Sequence, residues 1–430
     1  MSLLLLLALS ASAAQAEEAG SREDPIIVIG ERIQQSKAKL KACLARDCPP
    51  DEDIDATLEL AEYQVEAGEY HDARKTLLRS IDRNEDEAEK YPEPVSDLWR
   101  ANGKVAANLG LDRSYYYSTL NILRALKAGI PEKDYRYFTA RMEIAAMVAR
   151  LKGHDRARLA YEDLAEDARA AGRRDIAAIA ELKSAVSHLP PGDLQDRRIN
   201  RIAQSTDPME HTAMLQAKLV LAQFAYRDND MGKFNTILKE FADLKLNQPL
   251  LIYSPPYKFA AAEVDQGSEM VGAQEAIPPA LGAPSVDGGG VTGVTGTGLT
   301  PSSGGPVTRG NRVLSGLSTM TRRLTGNFED RWIDVTFRVQ PDGRVGDVEM
   351  TRSDGDIFWA DELLESIKGR IYTPIPADSP AARRKERYTY TAGYERLTTG
   401  TRTATRQPRP RVEYIDLTPS VENALVKGSR

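Results

Sequence analysis

The chain has 430 residues, 41% hydrophobic and 28% charged, with a net charge of -6. That balance excludes a disordered or membrane-embedded polymer, and the length leaves room for two or three domains with separate cores. From Arg309 onward 21 basic side chains stand against 17 acidic ones, so the acidity lies in the N-terminal part. No dense basic face points to nucleic acid.

Leu3 to Leu9 is wholly apolar and is followed by Ala14-Gln15-Ala16, small residues at cleavage spacing. A spanning helix needs about 20 apolar residues. Residues 1–16 are therefore expected to be a cleaved signal peptide, leaving a periplasmic chain without a membrane span. No Lys or Arg precedes the run, and an uncleaved inner-membrane anchor is the alternative.

Residues 17–50 are expected to hold an extended segment and a helix. Within them Ile26, Ile27, Val28, Ile29 and Gly30 form a short apolar run after Asp24-Pro25. Such a run either pairs with an exposed sheet edge or packs on the chain's own helices. Cys43 and Cys48 have four residues between them, not the two of a thioredoxin-like motif. His71, His154, His188 and His211 show no ligand spacing to them, so no metal site is expected. In an oxidising compartment the cysteines are expected to close a small loop as a disulfide; two free thiols are the alternative.

Residues 51–253 read as helices with short breaks. Leu58, Ala61, Val65, Gly68, Tyr70, Ala73, Leu77 and Ile81 are spaced as one helix–turn–helix unit. The small Ala61 lets two helices approach, and Gly68 makes the turn. Trp99, Gly103 and Gly110 suggest a second unit, and Ala146, Gly153, Ala157 and Ala160 a third. Ala213 to Tyr226 and Phe234 to Leu244 make a further pair. This spacing resembles the tetratricopeptide family, best in the first unit. The resemblance implies a groove that binds extended peptides, with Glu62, Lys104 and Asn108 as candidate groove residues on first helices.

Residues 254–325 are rich in Gly, Pro and Ser and too poor in apolar residues to fold, so they are expected to be a flexible linker. Gly296-Thr297-Gly298 lacks the flanking strand and helix of a phosphate loop.

Residues 326–418 change pattern again. Ile333, Val335, Phe337 and Val339 alternate with polar residues, then Pro341-Asp342-Gly343 reverses the chain. A second strand holds Val345, Val348 and Met350, with Gly346 as the expected bulge. Ser353-Asp354-Gly355 breaks it, and Trp359, Leu363, Leu364 and Ile367 follow at helical spacing up to Gly369. Tyr388, Tyr390, Ala392 and Tyr394 restore period two. Val412 to Leu417 is a further candidate strand over a sheet edge, beyond an arginine-rich stretch; residues 419–430 are a tail.

The ordered set of strand, Asp342-Gly343, strand, Ser353-Asp354-Gly355, helix and Tyr372-Thr373-Pro374 resembles the C-terminal domain of the TonB family. It departs from the family at Asp354, at the missing Tyr-Pro before Trp332, and at Gly369-Arg370-Ile371-Tyr372, where Trp-Arg-Phe-x is usual. The resemblance implies that the last strand pairs with a receptor segment, which here is Tyr388, Thr389, Tyr390, Thr391 and Ala392. By the same comparison Ile26 to Gly30 is similar to the short TonB-binding signature of outer-membrane receptors.

The expected fold is thus multidomain: an all-α tetratricopeptide-like array, a Gly/Pro-rich linker and a small α+β (β-β-α-β) unit. No nucleophile–base pair, His-Glu-x-x-His or Gly-x-Ser-x-Gly is present, and no catalysis or cofactor is expected. The expected role is a non-catalytic periplasmic adaptor that binds envelope proteins, TonB-dependent receptors among them, with self-association through sheet edges open. A membrane-anchored TonB-type energy transducer is the alternative.

Overall fold

The computed structural model describes residues 25–187, 193–244, 246, 248–257, 331–355, 357, 359–396 and 404–418. The expected signal peptide, most of the linker and the tail lie outside them. Among the described residues no helix is long and apolar enough to cross a membrane.

The N-terminal part is a run of helices: α1 Pro25–Ala45, α2 Pro50–Ala67, α3 Tyr70–Asn84, α4 Pro92–Asn108, α5 Asp112–Gly129, α6 Tyr135–Lys152, α7 His154–Ala170, α8 Arg174–Val186, α9 Asp193–Ala203, α10 His211–Arg227 and α11 Met231–Asp243. From α2 to α11 they form five antiparallel pairs. Pro190-Pro191-Gly192 stands between α8 and α9 in the sequence, but the repeat spacing marked no unit there.

Chemistry at the first turn shows why a pair forms. Gly68 ends α2 with φ +87, and its N–H bonds the Val65 carbonyl while Glu69 N–H bonds that of Gln64. Leu77, Ile81 and Ala73 then pack on Ile54 and Ala61 in one core. Asp53, 4% exposed, ties the pair further by accepting from Arg83 and Asn84. Burial alone would raise its carboxyl; those hydrogen bonds outweigh it and hold the group below the usual carboxylate range. Two later helices approach closely at Gly103, where a Cβ would lie 3.2 Å from Ser118 Cβ.

The C-terminal part is built from β2 Arg331–Val339, β3 Val345–Asp354, α12 Ala360–Lys368, β4 Ile371–Tyr372, β5 Arg383–Arg396 and β6 Ala404–Asp416. Its antiparallel sheet has the order β3-β2-β5-β6. Ile333, Val335, Phe337, Val339, Tyr388 and Tyr390 bury one face beneath α12, which contributes Leu363 and Ile367. The turn glycine Gly343 has φ +85, and a Cβ there would meet the Tyr372 carbonyl oxygen at 2.1 Å, so only glycine fits against β4. The bulge in β3 leaves Asp347, not Gly346, in the left-handed region, with φ 53.

β1, Leu251–Tyr253, packs on α10, where the Tyr226 and Tyr253 rings lie 4.5 Å apart, and also pairs with β4. Thr373 N–H also donates to the Leu250 carbonyl at 2.8 Å. β1 thus joins the two parts: Ile252 is buried in the core of α10 and α11, and Leu251 packs against the core of the sheet. The final strand, expected over Val412 to Leu417, begins earlier, at Ala404, and ends at Asp416.

Candidate functional site

The margin expected to receive a partner strand is filled by the chain itself. β5 pairs with β2 on one side, Tyr388 opposite Ile333 and Thr389 opposite Trp332. On the other side β6 matches it residue for residue: Tyr388 with Tyr414, Thr389 with Glu413, Tyr390 with Val412, Thr391 with Arg411 and Ala392 with Pro410. Their main-chain groups are committed, and all five side chains are buried. The expectation of an open edge at Tyr388–Ala392 is therefore corrected. An open edge strand invites unwanted pairing, and the chain covers this one itself.

The two faces of β5 do different work. Tyr390 stacks on Trp359 under α12, with ring centroids 5.3 Å apart. Tyr388 accepts from Arg370 at 2.7 Å, and Arg370 also donates to Glu386 at 2.7 Å. Tyr414 adds a hydrogen bond to the same carboxylate at 3.1 Å. Arg370 occupies the arginine position of the TonB-like motif, and it stays charged because Tyr388 and Glu386 compensate its complete burial. This cluster is closed to solvent and holds the fold.

The opposite face of the sheet docks on the helical pairs. Trp332 lies on the α2–α3 turn, where a Gly68 Cβ would come within 2.4 Å of its Nε1. Arg387 covers the indole at 3.8 Å, bonds Asp334 through two nitrogens at 2.6 and 2.9 Å, and donates to the Glu66 carbonyl at 2.8 Å. Arg352 donates to that carbonyl too, at 3.1 Å. The last carbonyls of a helix lack intrahelical partners and carry negative charge, and two arginines of the sheet satisfy them here. Tyr70 and Thr389 share a hydrogen bond of 3.0 Å across the junction.

β6 closes the junction with ion pairs. Arg411 donates to Asp112 at 2.6 and 3.1 Å, and Glu413 accepts from Arg150 at 3.0 Å. The side chains of Glu413 and Arg150 are 0% and 6% exposed. Ile415 enters the core that holds Val105 and Leu109.

Three groove residues were expected on first helices. Asn108 is buried and donates to the Lys104 carbonyl at 3.0 Å, so it caps its own helix rather than facing a ligand. Glu62 is exposed on α2, and Lys104 is half-buried on α4. Burial and the neighbouring Arg100 push the Lys104 amine down to about 8. Arg100 bonds Glu143 of α6 at 2.9 Å and pairs with Asp97. The sequence reading missed Asp97, Arg100 and Glu143. Residues 97, 100 and 104 share one helical face by spacing alone, but the reach to α6 is tertiary.

The apolar run Ile26 to Gly30 is not extended, which corrects the reading of it as a strand-forming signature. It opens α1, because Ile29 and Ile33, one turn apart, bury against Leu60. Cys43 and Cys48 are joined as a disulfide, with Cα atoms 5.2 Å apart, across the α1–α2 turn. A cleft of about 640 Å³ lies between α7, α8 and α9 over Ala165, Ala177 and Ala178. Its charged walls satisfy one another, Arg169 and Arg201 both pairing with Glu181.

No model of a known protein family matches the chain, and no curated protein matches it. Among solved structures it is similar to BtubC (BKLC) from P. vanneervenii at 13% identity, covering 56% of this chain and 97% of that one, with a TM-score of 0.37.

Proposed function

We propose that the chain is a non-catalytic adaptor of the cell envelope, which takes a partner polypeptide on the face lined by α2, α4 and α6. The observation that carries this reading is the half-exposed ionic set on that face. Asp97, Arg100 and Glu143 keep 51%, 27% and 31% of their side-chain surface, beside Lys104 and Glu62. Partly exposed charges of both signs between stacked helices suit an extended polar segment whose main chain and side chains need both donors and acceptors.

An envelope location is supported by the signal-like N-terminus and by the Cys43–Cys48 disulfide, which persists in oxidising compartments. The sheet order, Asp342-Gly343 turn and buried Arg370 support reading the C-terminal unit as TonB C-terminal-like, and TonB-dependent receptors as one class of partner. In this reading the unit buttresses the helical pairs.

A photo-crosslinking residue at position 62 of the full chain, expressed in its own envelope, tests the reading. A discrete crosslinked envelope protein is expected, reduced at least tenfold by Arg100→Ala with Lys104→Ala at unchanged helicity. Equal crosslinking in the double variant sinks it.

A further inference from the structure

The cleft between α7, α8 and α9 is framed by one stripe of each helix. Arg174, Glu181 and Ser184 line its floor on α8, Arg169 stands on the α7 wall, and Arg198 and Arg201, one turn apart, face it from α9. Ala165, Ala177 and Ala178 give it depth, because longer apolar side chains there would fill the space. At about 640 Å³ it has the size of a small-molecule site.

By count the lining sets four arginines against four glutamates, but the two signs are not presented alike. Arg169, Arg174, Arg198 and Arg201 keep 52%, 59%, 42% and 55% of their side-chain surface, while Glu181 and Glu162 keep 25% and 36%. Each oxygen of Glu181 already holds one arginine, Arg169 or Arg201. Glu162 accepts from Arg158 at 2.8 and 2.9 Å and from Ser184 at 3.2 Å, and Glu210 accepts from Ser205 at 2.7 Å. Glu166 is exposed, and no cation pairs with it among the described residues.

A guanidinium carries five N–H donors. Arg169 and Arg201 use theirs only on Glu181, and Arg198, 3.7 Å from Glu162, makes no hydrogen bond among the described residues. The engaged carboxylates leave the cleft with more open donors than acceptors. Arg169 and Arg201 also meet over one carboxylate from facing walls, so both lie within reach of one small ligand. Forked N–H pairs match the oxygens of a phosphoryl group, and several forks close together favour a ligand of more than one negative charge. We propose that this cleft binds a diphosphate group, free or at the head of an ester, between Arg169 on one wall and Arg198 and Arg201 on the other. It lies apart from the face lined by α2, α4 and α6, and the binding involves no covalent step.

Isothermal titration calorimetry of the full-length protein with inorganic pyrophosphate is the test, with sulfate and succinate as the single-anion and dicarboxylate controls. Saturable one-to-one binding of pyrophosphate is expected, at least tenfold tighter than either control. Adenosine diphosphate separates the two sources: binding as tight as that of pyrophosphate shows that an ester is accepted, and its exclusion restricts the ligand to the free ion. Absence of saturable pyrophosphate binding, or equal affinity for sulfate or succinate, overturns the proposal.

Substitutions place the site. Arg198→Gln with Arg201→Gln should weaken pyrophosphate binding at least tenfold at unchanged helicity, while Arg124→Gln, at an exposed arginine of α5, should leave it unchanged. Equal losses in the two proteins would mean that pyrophosphate reads net charge alone, and overturn the assignment to the cleft. Arg201 also pairs with Glu181, so should the double variant lose helicity, Glu166→Gln decides. That change removes the exposed carboxylate of the lining without breaking an ion pair, and should tighten binding at least twofold. Unchanged or weaker binding overturns the proposal.

Discussion

Replacing Gly68 with alanine attacks the junction of helices and sheet at its narrowest point. Two separate costs arise. An L-residue held at φ +87 is in the left-handed region, which costs about 1–2 kcal/mol. The new methyl group must also displace an indole that is 4% exposed, because its Cβ would lie 2.4 Å from Trp332 Nε1 and 2.6 Å from Cε2. Truncating a buried tryptophan altogether costs about 3–5 kcal/mol. Partial displacement at half that value adds roughly 2 kcal/mol.

Gly68→Ala should therefore destabilise the chain by about 3–4 kcal/mol on its own, and by only about 1–2 kcal/mol once Trp332→Ala has removed the ring. Equilibrium urea unfolding of the four proteins, followed by circular dichroism, measures the cycle. A coupling of about 2 kcal/mol is expected, well above the 0.5 kcal/mol or so within which independent sites add. Additive costs would show that Gly68 serves only its own helix end, and would remove the basis for treating Trp332 as seated on it.

Other perturbations test the remaining parts. Asp334→Ala leaves Arg387, 0% exposed, without its carboxylate and should cost about 3–5 kcal/mol in the same unfolding assay; a loss below 1 kcal/mol would mean the pair is solvated. Reducing the Cys43–Cys48 bond, which spans 5 positions, should cost roughly 2 kcal/mol by loop entropy, with faster hydrogen exchange confined to α1; faster exchange in α12 as well would contradict a local role. The Lys104 amine titrates at about 8 in the folded chain against 10.5 unfolded. Between those values the unfolded chain binds more protons, so stability rises with pH through that window, and below it the burial cost is fully present. Lys104→Met should raise stability at pH 7 and flatten the rise between pH 8 and 10, leaving the part due to Lys183, which is also pushed down to about 8 by burial; an unchanged pH profile would place the amine in water.

The hairpin, α12 and β5 were legible because each buries one face against a neighbour close in sequence. Ile333, Val335, Phe337 and Val339 announce a strand by period two, and Leu363 and Ile367 a helix by period 3.6. Val412 to Leu417 read as a candidate strand over a sheet edge, and only Arg411 fell in the basic stretch before it. The anchoring of that strand was not legible, since nothing local says that Asp112 and Arg150, some 260 to 300 positions earlier, stand ready to pair with Arg411 and Glu413. The apolar run at Ile26 misled for a related reason. A short hydrophobic stretch serves equally as strand or helix, and only Leu60 on another element decides.

The largest gap concerns the polar residues between the apolar ones. In an isolated sheet, alternation means core on one side and water on the other, and by that rule Asp334, Arg387, Thr389, Thr391 and Glu413 would face water. The structure buries all five to 2% exposure or less. They stay polar because what they meet is polar. Arg387 faces the end of α2, Thr389 the Tyr70 hydroxyl, and Glu413 the Arg150 guanidinium. A hydrophobic face would have docked more indiscriminately, and the orphan carbonyls of α2 would have lost their donors. A face that reads charge fixes one register between sheet and helices where a greasy one would not.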